Sequence, residues 1–287
     1  MKPGYALLLL GAMHARAQTG ELVLEAGLSR AIVNKVYAQP TPEQLSRARG
    51  LFLLTLRAEC ALAELRTNWS LLGFELTEVR CSEGTLWLVS EPAGREGGRG
   101  WYLFRPGDSS AIALETPHAR NDIHTGLLGL RLFLQGHVRA CAASTITRYT
   151  ADMAHLDDTF FQAFTLAFAQ ACPTGLVAQL HGFESANHAS RGRTGDVIAS
   201  AGTRSPQKWL AEMVDKLKDT TSLLVLAYPR DTRQLGALFN AQAQGLQTSR
   251  DCRFLHLEMS LEVRKRLENE KPLRALLLDS LSASPRK

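Results

Sequence analysis

The chain of 287 residues is 45% hydrophobic and 21% charged. That balance excludes a disordered or collagen-like polymer and suits one large α/β domain with a modest appendage. A net charge of +5 raises the question of nucleic acid, but without Lys2 and Arg16 the excess falls to +3, and the densest basic cluster, Arg264-Lys265-Arg266, lies among Glu262, Glu268 and Glu270, so no nucleic-acid partner is expected.

The N-terminus reads as an address. Lys2 precedes an apolar core from Tyr5 to Met13, and Ala15-Arg16-Ala17 forms an A-x-A cleavage site. Residues 1–17 therefore read as a secretory signal peptide, which implies a periplasmic or secreted protein that has no membrane contact once cleaved. The competing reading is a buried first helix. No apolar run reaches the ~18 residues of a spanning helix. The five cysteines, Cys60, Cys81, Cys141, Cys172 and Cys252, are an odd number without a C-x-x-C. A thiolate zinc site is not expected, and Cys60 with Cys81 is a candidate disulfide.

Residues 18–105 are expected to form a smaller N-terminal region of helices and a β-hairpin. Pro40-Thr41-Pro42 interrupts the helical pattern, and leucines recur at helical spacing from Leu45 to Leu65. Leu86–Val89 and Trp101–Phe104 read as strands. The glycine-rich 94–100 stretch between them lacks the Lys-Ser/Thr ending of a phosphate loop and reads as a hairpin connection.

In residues 106–287 apolar runs alternate with amphipathic helices. Strands are expected at Ala111–Thr116, Cys141–Thr147, Leu176–His181, Ser222–Ala227 and Arg253–Met259, with helices near 125–135, 158–171, 206–218, 232–243 and 261–268. This alternation predicts an α/β fold, a mostly parallel mixed sheet with helices on both faces. Residues 182–205 are polar, rich in Gly and Ser, and read as a long functional loop.

Open α/β sheets bind ligands at the carboxyl ends of their strands. There the sequence places His118 and Asp122 after the first of these strands, Arg148 and Asp152 after the second, and His181 at the end of the third, while His256 and Glu258 lie in the last. Two imidazoles and a carboxylate, His118, His181 and Asp122, make a first shell for one zinc ion with a position left open for water. Such a centre needs a further carboxylate as general base. Glu258 sits between apolar neighbours, where a carboxylate needs a reason to be buried. Arg148 can grip a substrate carboxylate, or pair with Asp152 four residues on. His124 is the alternative to Asp122 as ligand, and Glu184 the alternative to Glu258 as base. Nucleophile elbows, H-E-x-x-H and Walker loops are absent from the sequence.

These motifs, Pro117-His118-x-x-x-Asp122, Leu180-His181-Gly182 and Phe254-Leu255-His256-Leu257-Glu258 followed by Arg264, resemble the zinc carboxypeptidase superfamily in its broad sense, including members like N-formylglutamate amidohydrolase. The stretch Arg148-x-x-x-Asp152 is similar to a substrate-side segment of the amidohydrolase branch. The peptidase pattern His-x-x-Glu is not kept, since Asn121 holds its third position and the acid comes at Asp122. The resemblance implies a phosphorylase/hydrolase-like fold, zinc held by the first two motifs, Glu258 as catalytic base, and cleavage of an amide bond near a free carboxylate. The expected partner is a small peptide or acidic amide substrate. An esterase or deacylase on the same metal, and a non-catalytic periplasmic binding protein on the same fold, are the alternatives.

Overall fold

A computed structural model describes residues 19–107, 109–184, 195–247 and 251–282. The signal-peptide reading of 1–17, and the loop residues His188, Arg191 and Arg193, lie outside the described residues. Among those described, no helix is long and apolar enough to cross a membrane.

Helix α1 spans 19–31. Helix α2 (Pro42–Arg57) starts where the sequence prepares it: Thr41 accepts from the Gln44 amide, Gln44 reaches back to Thr41, and Pro42 opens the helix. Next come α3 (Leu62–Leu71), the antiparallel hairpin β1 (Glu75–Cys81) and β2 (Gly84–Ser90), and β3 (Trp101–Phe104). The second part runs β4 (Ser110–Thr116), α4 (Thr125–Gln135), β5 (Val138–Ala143), α5 (Phe160–Ala171), β6 (Leu176–Gly182), β7 (Val197–Ser200), α6 (Lys208–Thr220), β8 (Val225–Ala227), α7 (Ala241–Leu246), β9 (Arg253–Met259), α8 (Leu261–Asn269) and α9 (Lys271–Ser282).

The nine strands of the described residues form one sheet in the order β1-β2-β3-β5-β4-β6-β9-β7-β8. The sheet is mixed, but less parallel than expected. The pairs β4·β5, β4·β6, β6·β9 and β7·β8 are parallel, whereas β1·β2, β2·β3, β3·β5 and β7·β9 are antiparallel. The difference arises because the N-terminal hairpin region joins the same sheet through β3 and β5. The stretch read as a long loop contains β7, whose four residues are too few to carry a periodicity. The helix expected near 232–243 is the short α7, capped by Asn240. Cys60 packs beside one core cluster and Cys81 belongs to the other, across the sheet, and all five cysteines are free, which overturns the Cys60–Cys81 pairing.

The sheet is covered on both faces. One face meets α1, α4, α6, α8 and α9 over Leu114, Leu180, Leu255 and Leu257. The other meets α2, α3, α5 and α7 over Ala113, Val177 and Phe254. This second face is aromatic, and Phe52 sits at its centre with ring centroids 4.8 Å from Trp69, 4.7 Å from Tyr102 and 5.6 Å from Phe164. Side chains alternate along each strand. In the ladders Ala113 pairs with Val177 and Val177 with Phe254, two steps on Glu115 pairs with Gln179 and Gln179 with His256, and a further step brings His181 opposite Glu258. The apolar face therefore turns polar toward the carboxyl ends of its parallel strands.

Phe52 is fully buried, so Phe52→Ala should lower unfolding free energy by about 3–5 kcal/mol, read from urea denaturation of variant and wild type. A loss under ~1 kcal/mol would show that this aromatic cluster is not a core.

Candidate metal centre

Four chain segments meet at this polar end. After β4, a single turn closed by the Asp122 amide on the His118 carbonyl (2.9 Å) brings His118 and Asp122 side by side. The Gly182 amide donates to Asp122 Oδ2 at 3.0 Å, which ties that turn to the end of β6 beside His181. Glu258 stands level with His181 on β9. The segment after β5 brings Arg148, whose backbone amide donates to Asn121 Oδ1 at 2.9 Å. A cavity of about 330 Å³ is lined by His118, Asp122, Arg148, His181, His256 and Glu258. The segment 235–239 lines it as well, holding Leu235 and Ala237 in the left-handed region (φ 55° and 53°) and leaving Phe239 exposed.

The imidazole nitrogens have separate tasks. His118 Nε2 lies 2.8 Å from Asp152 Oδ1, and an ionised carboxylate can only accept, so this nitrogen carries hydrogen. His181 Nε2 lies 3.2 Å from Gln179 Oε1. The opposite nitrogens face Asp122 Oδ2, His118 Nδ1 at 3.3 Å and His181 Nδ1 at 3.5 Å. His118 Nδ1 is buried without a hydrogen bond, as are Glu258 Oε2 and His256 Nδ1. Two nitrogen lone pairs and a carboxylate oxygen thus converge within 4.8 Å of one another. Electron-rich atoms gathered in this way repel unless a cation lies among them, and a borderline-soft divalent metal suits two imidazoles and one carboxylate. A zinc ion fits this set. Asp152 then fixes the ring of His118 from behind, as carboxylates commonly do for metal-binding histidines.

Protonation follows from the same contacts. Burial works against charge on His118, but the Asp122 and Asp152 carboxylates beside its two ring nitrogens outweigh it and raise its pKa. Burial pushes His181 down to about 4, although Asp122 opposes the shift. Burial would raise Asp122 and Asp152, yet their histidine partners hold both well below the usual carboxylate range. Glu258 is pushed up to about 7 by burial and then by the Asp122 charge. It has no arginine ion pair among the described residues. Arg264 donates to the carbonyls of Met259, Ile123 and Phe183. The close imidazole neighbour of Glu258 there is His256, with Nε2 at 3.7 Å from Oε1, and burial holds it uncharged by pushing its pKa well below the ordinary value.

All five residues singled out in the sequence, His118, Asp122, His181, Glu258 and Arg148, line the one cavity. The alternatives do not. His124 turns to α8, where Nδ1 meets Glu268 Oε2 at 2.6 Å, and Glu184 is exposed and outside the cavity lining. Arg148 also keeps its local contact, Nη2 lying 3.5 Å from Asp152 Oδ2, with its side chain 37% exposed. The positions the sequence did not yield are Gln179 and the role of Asp152 behind His118. A polar residue two before a strand-end histidine is a faint signal for the first, and nothing local marks the second. His256 also faces the cavity and with His181 and Glu258 forms a second triad of potential ligands.

No protein-family model and no curated protein matches the chain. Among solved structures it is similar to N-formylglutamate amidohydrolase from Ralstonia eutropha, at 13% identity and TM-score 0.41 over 64% of this chain and 94% of that one. It is also similar to a bacteriophage poly-gamma-glutamate hydrolase, at 13% identity and TM-score 0.40 over 66% and 88%. A metallo-carboxypeptidase from Burkholderia cenocepacia overlaps at 12% identity and TM-score 0.39 over 74% of this chain and 64% of that one. At such identities and scores only this chain's own residues speak to its chemistry.

The Glu258 shift sets a pH dependence. Its folded pKa of about 7 exceeds the ordinary 4.5, so between those values the native metal-free protein holds a proton that the unfolded chain has released, and stability falls as pH rises through that window. Glu258→Gln removes this loss and should stabilise the metal-free protein at about pH 8 by on the order of 2 kcal/mol. Glu115, also buried and pushed up to about 7, leaves a residual slope in the variant. Superimposable stability–pH curves for the two proteins would contradict the burial of a reluctant carboxylate.

Proposed function

We propose that the chain is a zinc-dependent hydrolase that cleaves a peptide or amide bond near a free carboxylate. The observation that carries this is the convergence of His118 Nδ1, His181 Nδ1 and Asp122 Oδ2 beside a buried glutamate with one unpaired oxygen. His118, Asp122 and His181 would hold the ion. When bound, zinc supplies a Lewis acid that lowers the pKa of water to ~7 and polarises a carbonyl.

The remaining work falls to this chain's own side chains. Glu258 takes a proton from the attacking water at Oε2 and delivers it to the departing amine. A carboxyl poised near neutral pH suits both halves of that transfer. Arg148, which lines the cavity, binds the substrate carboxylate. Asp152 competes for the same guanidinium and keeps it positioned. The apolar segment 235–239 lines the same cavity and accommodates the hydrocarbon part of the substrate. Acidic peptides, γ-glutamyl chains and cell-wall peptide stems carry the required amide and carboxylate.

Metal content of the purified protein after zinc loading and desalting tests this directly. About one zinc per chain is expected in the wild type, lost in both His118→Ala and His181→Ala. Glu258→Gln should keep the metal and lose at least ~100-fold in hydrolysis of N-acylglutamate and γ-glutamyl substrates. Arg148→Ala should raise KM for these carboxylates more than it lowers kcat. A wild type that retains no zinc would remove the hydrolase.

A further inference from the structure

The end of His181 that faces away from the cavity is tied into a chain of buried amides. Gln179 Oε1 lies 3.2 Å from His181 Nε2 and 2.7 Å from Asn240 Nδ2. Gln179 Nε2 meets Glu115 Oε2 at 2.8 Å and Gln242 Oε1 at 2.9 Å. Glu115, Gln179 and Gln242 are completely buried and Asn240 nearly so.

Amides and imidazoles can be turned over, so the direction of such a chain must be fixed by groups that cannot be. Two backbone groups fix it. At the start of α7 the Ala243 amide donates to Asn240 Oδ1 at 3.0 Å. A backbone N–H cannot accept, so the cap oxygen of Asn240 stays on the helix and its NH2 faces Gln179. At the other side Gln242 Nε2 lies 3.0 Å from the Met153 carbonyl, which cannot donate. Gln242 Oε1 must then face Gln179, and it receives the Gln179 NH2. Both anchors give one answer. Gln179 presents its oxygen to His181, and His181 Nε2 carries the hydrogen.

We propose that Asn240, acting through Gln179, locks His181 in the Nε2–H tautomer and thereby keeps Nδ1 bare for the metal. Asn240 and Gln179 are positioning residues: neither is among the three proposed ligands, and each acts through the next. This rests on the metal reading above for its use, but the tautomer lock belongs to the metal-free protein as well. The N-cap of a six-residue helix is thereby coupled to the affinity of the centre.

Asn240→Asp isolates the relay. Aspartate keeps the oxygen that caps Ala243, but it offers oxygen where Gln179 met an NH2. Gln179 cannot simply turn to meet it, because its NH2 is held by Glu115 Oε2 and Gln242 Oε1, so the introduced carboxylate repels Gln179 Oε1, pushes it off His181 and leaves the imidazole without its fixed acceptor. Nitrogen NMR of the His181 ring in the metal-free protein, at about pH 8 and so above the ordinary histidine pKa of about 6.5, should show hydrogen on Nε2 in the wild type and mixed tautomers in the variant. Zinc affinity measured by chelator competition should fall ~10–100-fold. Gln179→Met, which removes the acceptor at similar volume, should give mixed tautomers and a loss of the same order, and serves if the aspartate variant does not fold. A wild-type His181 protonated on Nδ1 overturns the relay without any variant, and so does a folded variant that keeps Nε2–H and binds zinc within about twofold of wild type. If the variant loses the Nε2–H preference as expected but the wild type binds no zinc, the relay is supported and the hydrolase reading fails.

Discussion

Three electron-rich atoms are pressed toward one point, and the surrounding structure stops them from turning away. Asp122 is held by the Gly182 amide, His118 by Asp152 and His181 by Gln179. Two of these restraints come from β6 and the third from the segment after β5, while His118 and Asp122 follow β4, so the centre exists only once β4, β5 and β6 are in register. Their parallel pairing sends all three carboxyl ends the same way, and β9 adds Glu258 opposite His181. The crevice of an open α/β sheet is here a consequence of one register.

A group of buried polar residues is costly unless each finds a partner. Behind the centre nearly every donor and acceptor is matched: Thr165 and Gln179 on Glu115, Asn240 on Gln179, and Gln242 on Met153 and Gln162. At the cavity wall the matching stops, at His118 Nδ1, His256 Nδ1 and Glu258 Oε2. These three unmatched atoms lie where chemistry is proposed. The same contrast separates the two buried glutamates. Glu115 and Glu258 are both raised toward neutrality by burial, but Glu115 has donors on both oxygens and serves as an anchor, whereas Glu258 keeps one oxygen free.

Much of this was legible in the sequence, for a physical reason. His118, His181 and Glu258 stand at or near strand ends, and apolar runs make strand ends visible; Asp122 follows because one turn brings residues four apart together. Arg253–Met259 was bounded correctly because alternate positions are buried on both faces. Gln179 and Asn240 were not legible. Their roles depend on which side of an amide faces which neighbour across three elements, and no spacing encodes that. β7 was hidden inside a polar stretch, and the even balance of parallel and antiparallel pairs was missed because a hairpin sequence does not say which sheet it will extend. His124 shows the converse. Its position beside Asp122 made it a candidate, yet the left-handed backbone at its helix start (φ 79°) and the pull of Glu268 direct it to α8.

Anomalous X-ray diffraction from zinc-loaded crystals bears on the central claim most directly. One anomalous peak per chain is expected, bonded to Nδ1 of His118, Nδ1 of His181 and one oxygen of Asp122 at ~2.0–2.2 Å, with Glu258 beside it and not bound to it. A peak among His181, His256 and Glu258 instead, or ligation through Nε2 of either histidine, would contradict the account.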